Sequence, residues 1–133
     1  MKNVETIKVT LREDDRGWVA WPIQGHLLND RAVTNIHIPC LRPGSVRGNH
    51  YHLHASEYVL ILSGPCKAVF IDNATEEIRE VIISGERPEL LKIAPDSAHA
   101  FKNISDHDIC LVCYETPARE DNKKDIYRRH ILS

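Results

Sequence analysis

Residues 44–57 read GSVRGNHYHLHASE and contain three potential metal ligands within eight positions. His50 and His52 are two residues apart, so on a β-strand both imidazoles face the same side of the sheet, as a chelating pair requires. Glu57 has the opposite parity, and it joins the two histidines only if the chain turns between His52 and Glu57. Residues 54–56 could supply that turn. The stretch therefore predicts two short strands that place three ligands on one side of a sheet.

A second polar stretch lies about forty residues further on, where residues 95–103 read PDSAHAFKN. If the sheet closes into a barrel and this stretch lies beside the first one, His99 completes a set of three histidines and one carboxylate. Imidazole and carboxylate donors in this proportion suit a borderline divalent ion such as zinc.

Apolar segments of strand length recur along the chain, and glycine, proline, aspartate and asparagine separate them. Short strands at regular spacing, without a long 3.6-residue periodicity, are typical of an all-β sandwich or barrel. Helix is a minor component, and the stretch that most favours it is residues 120–130, EDNKKDIYRRH. We expect this short helix either to be solvated or to dock on a partner subunit.

Length and charge restrict the classes of function. A chain of 133 residues with a net charge of −2 fits one domain, residues 1–133, and lacks the excess of basic residues typical of nucleic-acid binding. No apolar run approaches the ~20 residues that span a bilayer, and the first residues lack the apolar stretch of a secretion signal. We therefore expect a cytoplasmic protein with neither a nucleic-acid nor a membrane partner.

The four cysteines are too few and too scattered for the disulfide framework of a small secreted domain. We expect all of them to be reduced; they are Cys40, Cys66, Cys110 and Cys113. Cys110 and Cys113 have CxxC spacing, but on a strand residues three apart point to opposite faces. This pair is therefore interpreted as core rather than as a metal or redox site.

Other aromatic residues and histidines have less specific contexts. Trp18 and Trp21 are expected in the core or in a dimer interface, because indole rings bury large apolar areas. His54 lies in the predicted turn and is expected to be exposed, while His37 could face either a cavity or solvent. The remaining histidines are expected at the surface; they are His26, His107 and His130.

The first stretch resembles the first conserved motif of the cupin superfamily. In that motif a glycine, five residues, His-x-His, four residues, a glutamate, six residues and a glycine follow in order. Every anchor is present, as Gly44, His50, His52, Glu57 and Gly64.

The second stretch resembles the second cupin motif through Pro95, His99 and Asn103, whereas Asp96 or Ser97 replaces the usual glycine after the proline. The two motifs and the strands between them cover about residues 38–115. This resemblance implies an all-β double-stranded β-helix, the cupin jelly-roll barrel. It also implies a divalent transition metal, with zinc, iron, manganese and nickel left open, on a set of four ligands: His50, His52, Glu57 and His99.

A narrower resemblance involves the segments VRGNHYH, VLILSG and APDSAHAFKNIS. They are similar to dTDP-4-dehydrorhamnose 3,5-epimerases and to the cupin domain of capsular polysaccharide enzymes that epimerise a 4-keto sugar nucleotide. The second group is more similar, because it shares Arg-Gly-Asn-His-x-His and a histidine on the later strand. The resemblance implies an epimerase or isomerase that acts on a nucleotide-linked 4-keto sugar in polysaccharide biosynthesis.

Epimerisation beside a ketone needs a base for the α-proton and a positive group for the enolate. The metal or Arg47 could stabilise the enolate, and Arg47 could also bind a diphosphate. His50 matches the base of the metal-free epimerases, yet the cupin motif makes it a ligand, and both roles remain open. Tyr114 and Lys102 are further candidates for proton donors or phosphate contacts.

Two other functions remain open at this point. The chain could be a non-catalytic cupin that binds a small molecule, for example as a sensor, or an iron-dependent dioxygenase. Metal identity and neighbouring genes would separate these classes. In each case we expect a homodimer formed through outer strands.

Overall fold

The computed structural model describes residues 1–33, 35–117 and 125–133. Within those ranges, no helix is long and apolar enough to cross a membrane. The elements that these residues form are, in chain order, β1 (Val4–Ile7), β2 (Thr10–Asp14), β3 (Gly17–Trp21), α1 (Gly25–Asn29), β4 (Cys40–Leu41), β5 (Val46–Tyr51), β6 (Ser56–Ile61), β7 (Cys66–Asp72), β8 (Ile78–Ile83), β9 (Glu89–Ile93), β10 (Ser97–Asn103), β11 (Ile109–Thr116) and β12 (Tyr127–Arg128).

Ten of the strands in the described ranges form two five-stranded sheets, and every pairing is antiparallel. The strand orders are β1-β9-β6-β11-β4 in the first sheet and β12-β5-β10-β7-β8 in the second. Sequence neighbours such as β5 and β6 lie in different sheets, so the chain crosses repeatedly between the two layers. The predicted all-β jelly roll is confirmed.

The main core lies between the two sheets. Val59 and Ile61 of the first sheet and Phe70 and Phe101 of the second belong to one buried cluster, because alternate residues of each strand point inward. Phe70 and Phe101 pack edge to face, with ring centroids 6.1 Å apart.

A second core covers the outer face of the first sheet. Tyr58, Leu60 and Tyr114 point away from the barrel interior and pack against Leu27 of α1. Strand β6 is therefore buried on both sides, as its apolar run at residues 58–61 predicts.

The structure corrects the predicted helix over residues 125–130, the part of it that lies in the described ranges. Residues 120–124 lie outside the described ranges, while β12 pairs with β5, placing Tyr127 opposite Tyr51 and Arg128 opposite His50. The rings of Tyr51 and Tyr127 stack with centroids 5.4 Å apart. Pairing along the open edge of β5 outweighs the local helical preference of this polar segment.

The expectation of four reduced cysteines is also wrong. Cys40 and Cys110 occupy directly opposed positions on β4 and β11, with Cα atoms 4.2 Å apart, and form a disulfide. The other two, Cys66 and Cys113, are buried free thiols. Seventy residues separate the bonded pair, so only the strand register brings them together.

Strands β2 and β3 form a separate hairpin. It carries Trp18 and Trp21, which are 37 % and 48 % exposed. Neither indole is in the core, and their predicted place in a dimer interface stays a prediction. The Arg12 guanidinium lies 5.7 Å from the centre of the Trp21 ring, a cation–π contact.

Candidate metal site and cavity

The turn between His52 and Glu57 is held by a residue far away in sequence. Asp125 accepts hydrogen bonds from the backbone N–H groups of Leu53, His54 and Ala55 at 2.9, 3.0 and 3.0 Å. Burial alone would raise the pKa of Asp125, but these three donors outweigh it and lower the pKa. The charged carboxylate thus fixes the turn that brings Glu57 to the side of the histidines.

Four predicted ligands converge at this point. The Oε2 atom of Glu57 lies 2.8 Å from Nε2 of His52, 2.8 Å from Nε2 of His99 and 3.7 Å from Nε2 of His50. The four possible donor atoms lie within 4.8 Å of one another, and all but His50 belong to buried residues. The structure therefore brings together the three histidines and the carboxylate that the sequence singles out.

The surroundings of these side chains fit a metal ion. Nδ1 of His99 lies 2.9 Å from the carbonyl oxygen of Ser97, and Nδ1 of His52 contacts the carbonyl oxygen of Asp125. When Nδ1 donates to a carbonyl, Nε2 is left as the lone-pair donor, the arrangement usual for histidine ligands. His50 Nε2 is buried without a hydrogen-bond partner in the described residues. The donor set suits a divalent transition metal.

The charges within the cluster stabilise one another. Burial alone would lower the pKa of His52, but the hydrogen bond and negative charge of Glu57 raise it to about 9. Burial would raise the pKa of Glu57, and the three neighbouring imidazoles instead hold it well below its usual range. Glu57 is therefore a buried anion, which is the form that a metal ligand must take.

The turn before His99 forms without the glycine of the cupin motif. Asp96 takes up the left-handed backbone conformation that glycine usually supplies, with φ of 61°. Asn73 donates from Nδ2 to Asp96 Oδ1 at 3.0 Å, and the Asp96 N–H donates to the carbonyl of His52 at 2.6 Å. Aspartate tolerates this conformation better than most residues, so the substitution leaves His99 in place.

A β-bulge aims Arg47 into the same cavity as His50. His50 pairs with His99, but Gly48 pairs with Ala100, so Asn49 is an extra residue on β5. The bulge changes the side-chain parity, and residues three apart then face the same side. Gly48 has φ of 102°, and a Cβ there would lie 2.7 Å from the backbone oxygen of His99. Only glycine fits this close approach.

The four-residue cluster lies at one end of a cavity of about 530 Å³, within the range of small-molecule sites. His50, Glu57 and His99 line it, whereas His52 lies deeper and does not. The rest of the wall combines apolar residues with basic ones. Among them are Pro39, Phe101, Leu111, Ile126, Arg47, Arg128, His37 and His130.

The predicted catalytic residues separate into two groups. Arg47 and His50 line the cavity. Tyr114 lies on the opposite face of β11, where its hydroxyl donates to the Pro22 carbonyl at 2.6 Å. Lys102 is directed outward and donates to the backbone oxygen of Ser133 at 3.2 Å, at the protein surface. Strand alternation therefore excludes the last two from this cavity, which corrects both assignments.

Several residues of the site received no functional role from the sequence. His37 and Cys113 face the cavity, and their donor atoms lie within 4.8 Å of each other and of Glu57. Cys113 is buried as expected, and burial raises the pKa of its thiol. Arg128 and His130 were taken as part of a polar tail. The alternation of residues 126, 128 and 130 along the cavity is the signal that could have identified them.

Comparison with known proteins identifies the family. Residues 12–127 match the family described as the polysaccharide biosynthesis C-terminal domain. A curated relative, UDP-2-acetamido-2,6-beta-L-arabino-hexul-4-ose reductase of Pseudomonas aeruginosa, is 26% identical over 85 residues. The match covers 64% of this chain and 23% of the relative, so the chain spans about a quarter of that protein.

Solved structures show the same fold. Capsular polysaccharide assembling protein CapF of Staphylococcus aureus is 24% identical with a TM-score of 0.66, over 93% of this chain and 35% of that one. The dTDP-6-deoxy-D-glucose-3,5-epimerase RmlC of Legionella pneumophila, in complex with dTDP-4-keto-L-rhamnose, is 19% identical with a TM-score of 0.76, over 99% and 75%. The chain has the jelly-roll fold and belongs to the polysaccharide biosynthesis C-terminal domain family.

Proposed function

We propose that this chain binds a divalent transition metal on four residues and epimerises or isomerises a nucleotide-linked 4-keto sugar in polysaccharide biosynthesis. The ligands are His50, His52, Glu57 and His99. The observation that carries the proposal is the convergence of three imidazole nitrogens on one buried carboxylate oxygen at the end of an open cavity. When bound, such a metal supplies a Lewis acid that polarises a ketone and stabilises an enolate.

Relatives support the class of substrate. The curated relative is named for a UDP-linked hexul-4-ose, and the epimerase from Legionella pneumophila was solved with dTDP-4-keto-L-rhamnose. Both names describe a 4-keto sugar on a nucleoside diphosphate. The hydrogens beside such a ketone are acidic enough for a protein base to remove, which is the first step of epimerisation.

His37 accepts this proton in the proposed reaction. His50 belongs to the proposed ligand set, and His130 Nε2 is 2.7 Å from the hydroxyl of Ser133. A ring nitrogen of His37 faces the cavity within 4.8 Å of the Glu57 carboxylate, outside the four-ligand set. An imidazole in this place lies within the cavity where a general base is needed. Arg47 binds an anionic group of the substrate from the neighbouring wall.

The test follows hydrogen exchange in D2O. The purified chain is incubated with UDP- and dTDP-linked 4-keto-6-deoxyhexoses, and deuterium at C3 and C5 is followed by NMR. Metal content is measured by mass spectrometry on the same samples. We expect exchange that chelation abolishes and that added metal restores. His37→Ala should lose exchange and keep the metal, His50→Ala should lose both, and the exposed control His107→Ala should lose neither.

Other outcomes would change the proposal in defined ways. Stoichiometric metal without exchange at either carbon would overturn the epimerase assignment and favour a small-molecule-binding cupin. Exchange that persists in the metal-free protein would overturn the role of the metal. If His50→Ala keeps the metal and loses exchange, His50 rather than His37 is the base.

A further inference from the structure

The segment Asp125–Ser133 forms one rim of the cavity and is attached to the metal motif at two points. At its start, Asp125 holds the turn at residues 53–55. Towards its end, Asn49 Oδ1 accepts the N–H groups of Ile131 and Leu132 at 2.8 and 3.0 Å. Asn49 Nδ2 also donates to the Leu132 carbonyl at 2.9 Å. The extra residue of the bulge therefore fixes this segment beside β5.

The strand register then determines which side chains of the segment face the cavity. Arg128 lies directly opposite His50, which itself lies opposite His99 on β10. Directly opposed residues project from the same face of a sheet, so Arg128 shares the face of the two histidines. Ile126 and His130, two positions away on either side, line the cavity as well.

Neighbouring arginines of the segment have different environments. Arg129 points away from the cavity and is held by Asn73 and by Glu76, with its Nη2 2.9 Å from Glu76 Oε2. Arg47 and Arg128 both line the cavity, and in the described part of the chain neither forms an ion pair. The cavity therefore has two guanidinium groups on adjacent strands that pair with no carboxylate of the described residues. Guanidinium groups bind phosphate oxygens through two parallel hydrogen bonds.

We propose that Arg47 and Arg128 form a diphosphate subsite at the rim of the cavity, and that the segment 125–133 supplies its second cation. Arg128 lies opposite His50, and Arg47 precedes His50 by three residues on β5, across the bulge at Asn49. Both arginines line the same cavity, and the two phosphates of a nucleoside diphosphate offer one anionic group to each guanidinium. The inference rests on the proposed function and extends it by assigning the nucleotide end of the substrate.

The experiment measures binding by isothermal titration calorimetry. The ligands are UDP, dTDP, inorganic pyrophosphate and, as a probe without phosphate, uridine. We expect Arg128→Gln to weaken UDP, dTDP and pyrophosphate binding by about ten- to hundredfold, because charge-assisted hydrogen bonds are lost. Arg128→Lys should recover part of this loss. The metal content of both Arg128 variants should equal that of the original chain. The control Arg16→Gln removes one positive charge from the β2–β3 hairpin. It should bind every ligand with the affinity of the original chain.

The outcomes separate this inference from the proposed function. If Arg128→Gln binds UDP and pyrophosphate with unchanged affinity, or if the original chain binds neither, the subsite is wrong, whatever happens in the exchange experiment. If the variant loses diphosphate binding while the original chain exchanges no hydrogen in the keto sugars, the subsite stands and the epimerase assignment falls. If uridine binds as tightly as UDP, the two arginines do not contact the ligand's phosphates.

Discussion

Strands β6 and β11 present two different surfaces from alternate residues of the same backbone. On the inner face, Glu57 and Cys113 line the cavity. On the outer face, Tyr58 and Tyr114 lie opposite each other and stack with centroids 4.9 Å apart and planes within 8°. Both faces carry polar atoms, but the faces differ in whether other parts of the protein supply the hydrogen-bond partners of those atoms.

The outer face is closed by the protein itself. The Tyr114 hydroxyl donates to the Pro22 carbonyl, and Leu27 covers the ring. Opposite the inner face, on β5, the buried imidazole nitrogen His50 Nε2 has no hydrogen-bond partner within the described ranges. A buried polar atom without a partner costs free energy, so a ligand that binds it has an advantage that the outer face does not offer. The outer face therefore stabilises the fold, whereas the inner face is suited to bind a ligand.

Replacing Tyr114 tests the outer face and gives the largest expected effect on stability. Tyr114→Ala should lower the free energy of unfolding by about 3–5 kcal/mol, because it empties a fully packed ring site. Tyr114→Phe should lower it by only about 1 kcal/mol, through the lost hydrogen bond. Both are measured by chemical denaturation. If Tyr114→Phe has normal stability but no longer exchanges hydrogen in the 4-keto sugars, Tyr114 takes part in catalysis.

Glu57→Gln tests the inner face. The amide has nearly the same shape but no charge, so metal affinity should fall more than about 100-fold, beyond the loss typical of residues that only support ligands. Competition with a chelator of known affinity measures it. Glu115→Gln is the matched control, because Glu115 lies opposite Glu57 on β11, 3.6 Å from His52 Nε2. Equal losses in both variants would make Glu115 a ligand as well.

Asp125→Asn tests whether the turn positions the site. An amide replaces one oxygen by a donor that faces backbone N–H groups, so the turn loosens and metal affinity should fall about 10- to 100-fold. The control Asp14→Asn changes a similar turn contact in the β2–β3 hairpin, where Asp14 accepts the N–H of Arg16. If Asp125→Asn reduces stability but leaves metal affinity unchanged, the carboxylate only holds the chain together.

Local patterns predicted the fold and the cluster of four residues. The spacing of His50, His52 and Glu57 predicts a turn with ligands on one side, and parity within a strand is a property of a few consecutive residues. The second polar stretch, through barrel closure and its resemblance to a cupin motif, added His99. The second motif lacks its usual glycine after Pro95, but His99 is still in place because Asp96 adopts the left-handed conformation that the turn requires.

Contacts that depend on register between distant strands were not predictable in this way. Asp125 lies about seventy residues from the turn that it holds. The partners in the Cys40–Cys110 disulfide are equally far apart. Tyr114 was misassigned because its face follows from its pairing with Tyr58, and no short pattern in the sequence reveals that pairing.

Cys113→Ala has the smallest expected effect and decides where on the inner face a metal is bound. The four-residue set is complete without the thiol, so metal affinity should change less than about twofold, and stability should fall by about 1 kcal/mol. Cys66→Ala, the same change at a buried thiol of the main core, should cost a similar amount. If Cys113→Ala loses tenfold in metal affinity and Cys66→Ala does not, the ion is bound next to His37 and Cys113. In that case His37 would be a ligand, and the base would have to be sought among the histidines of the original set.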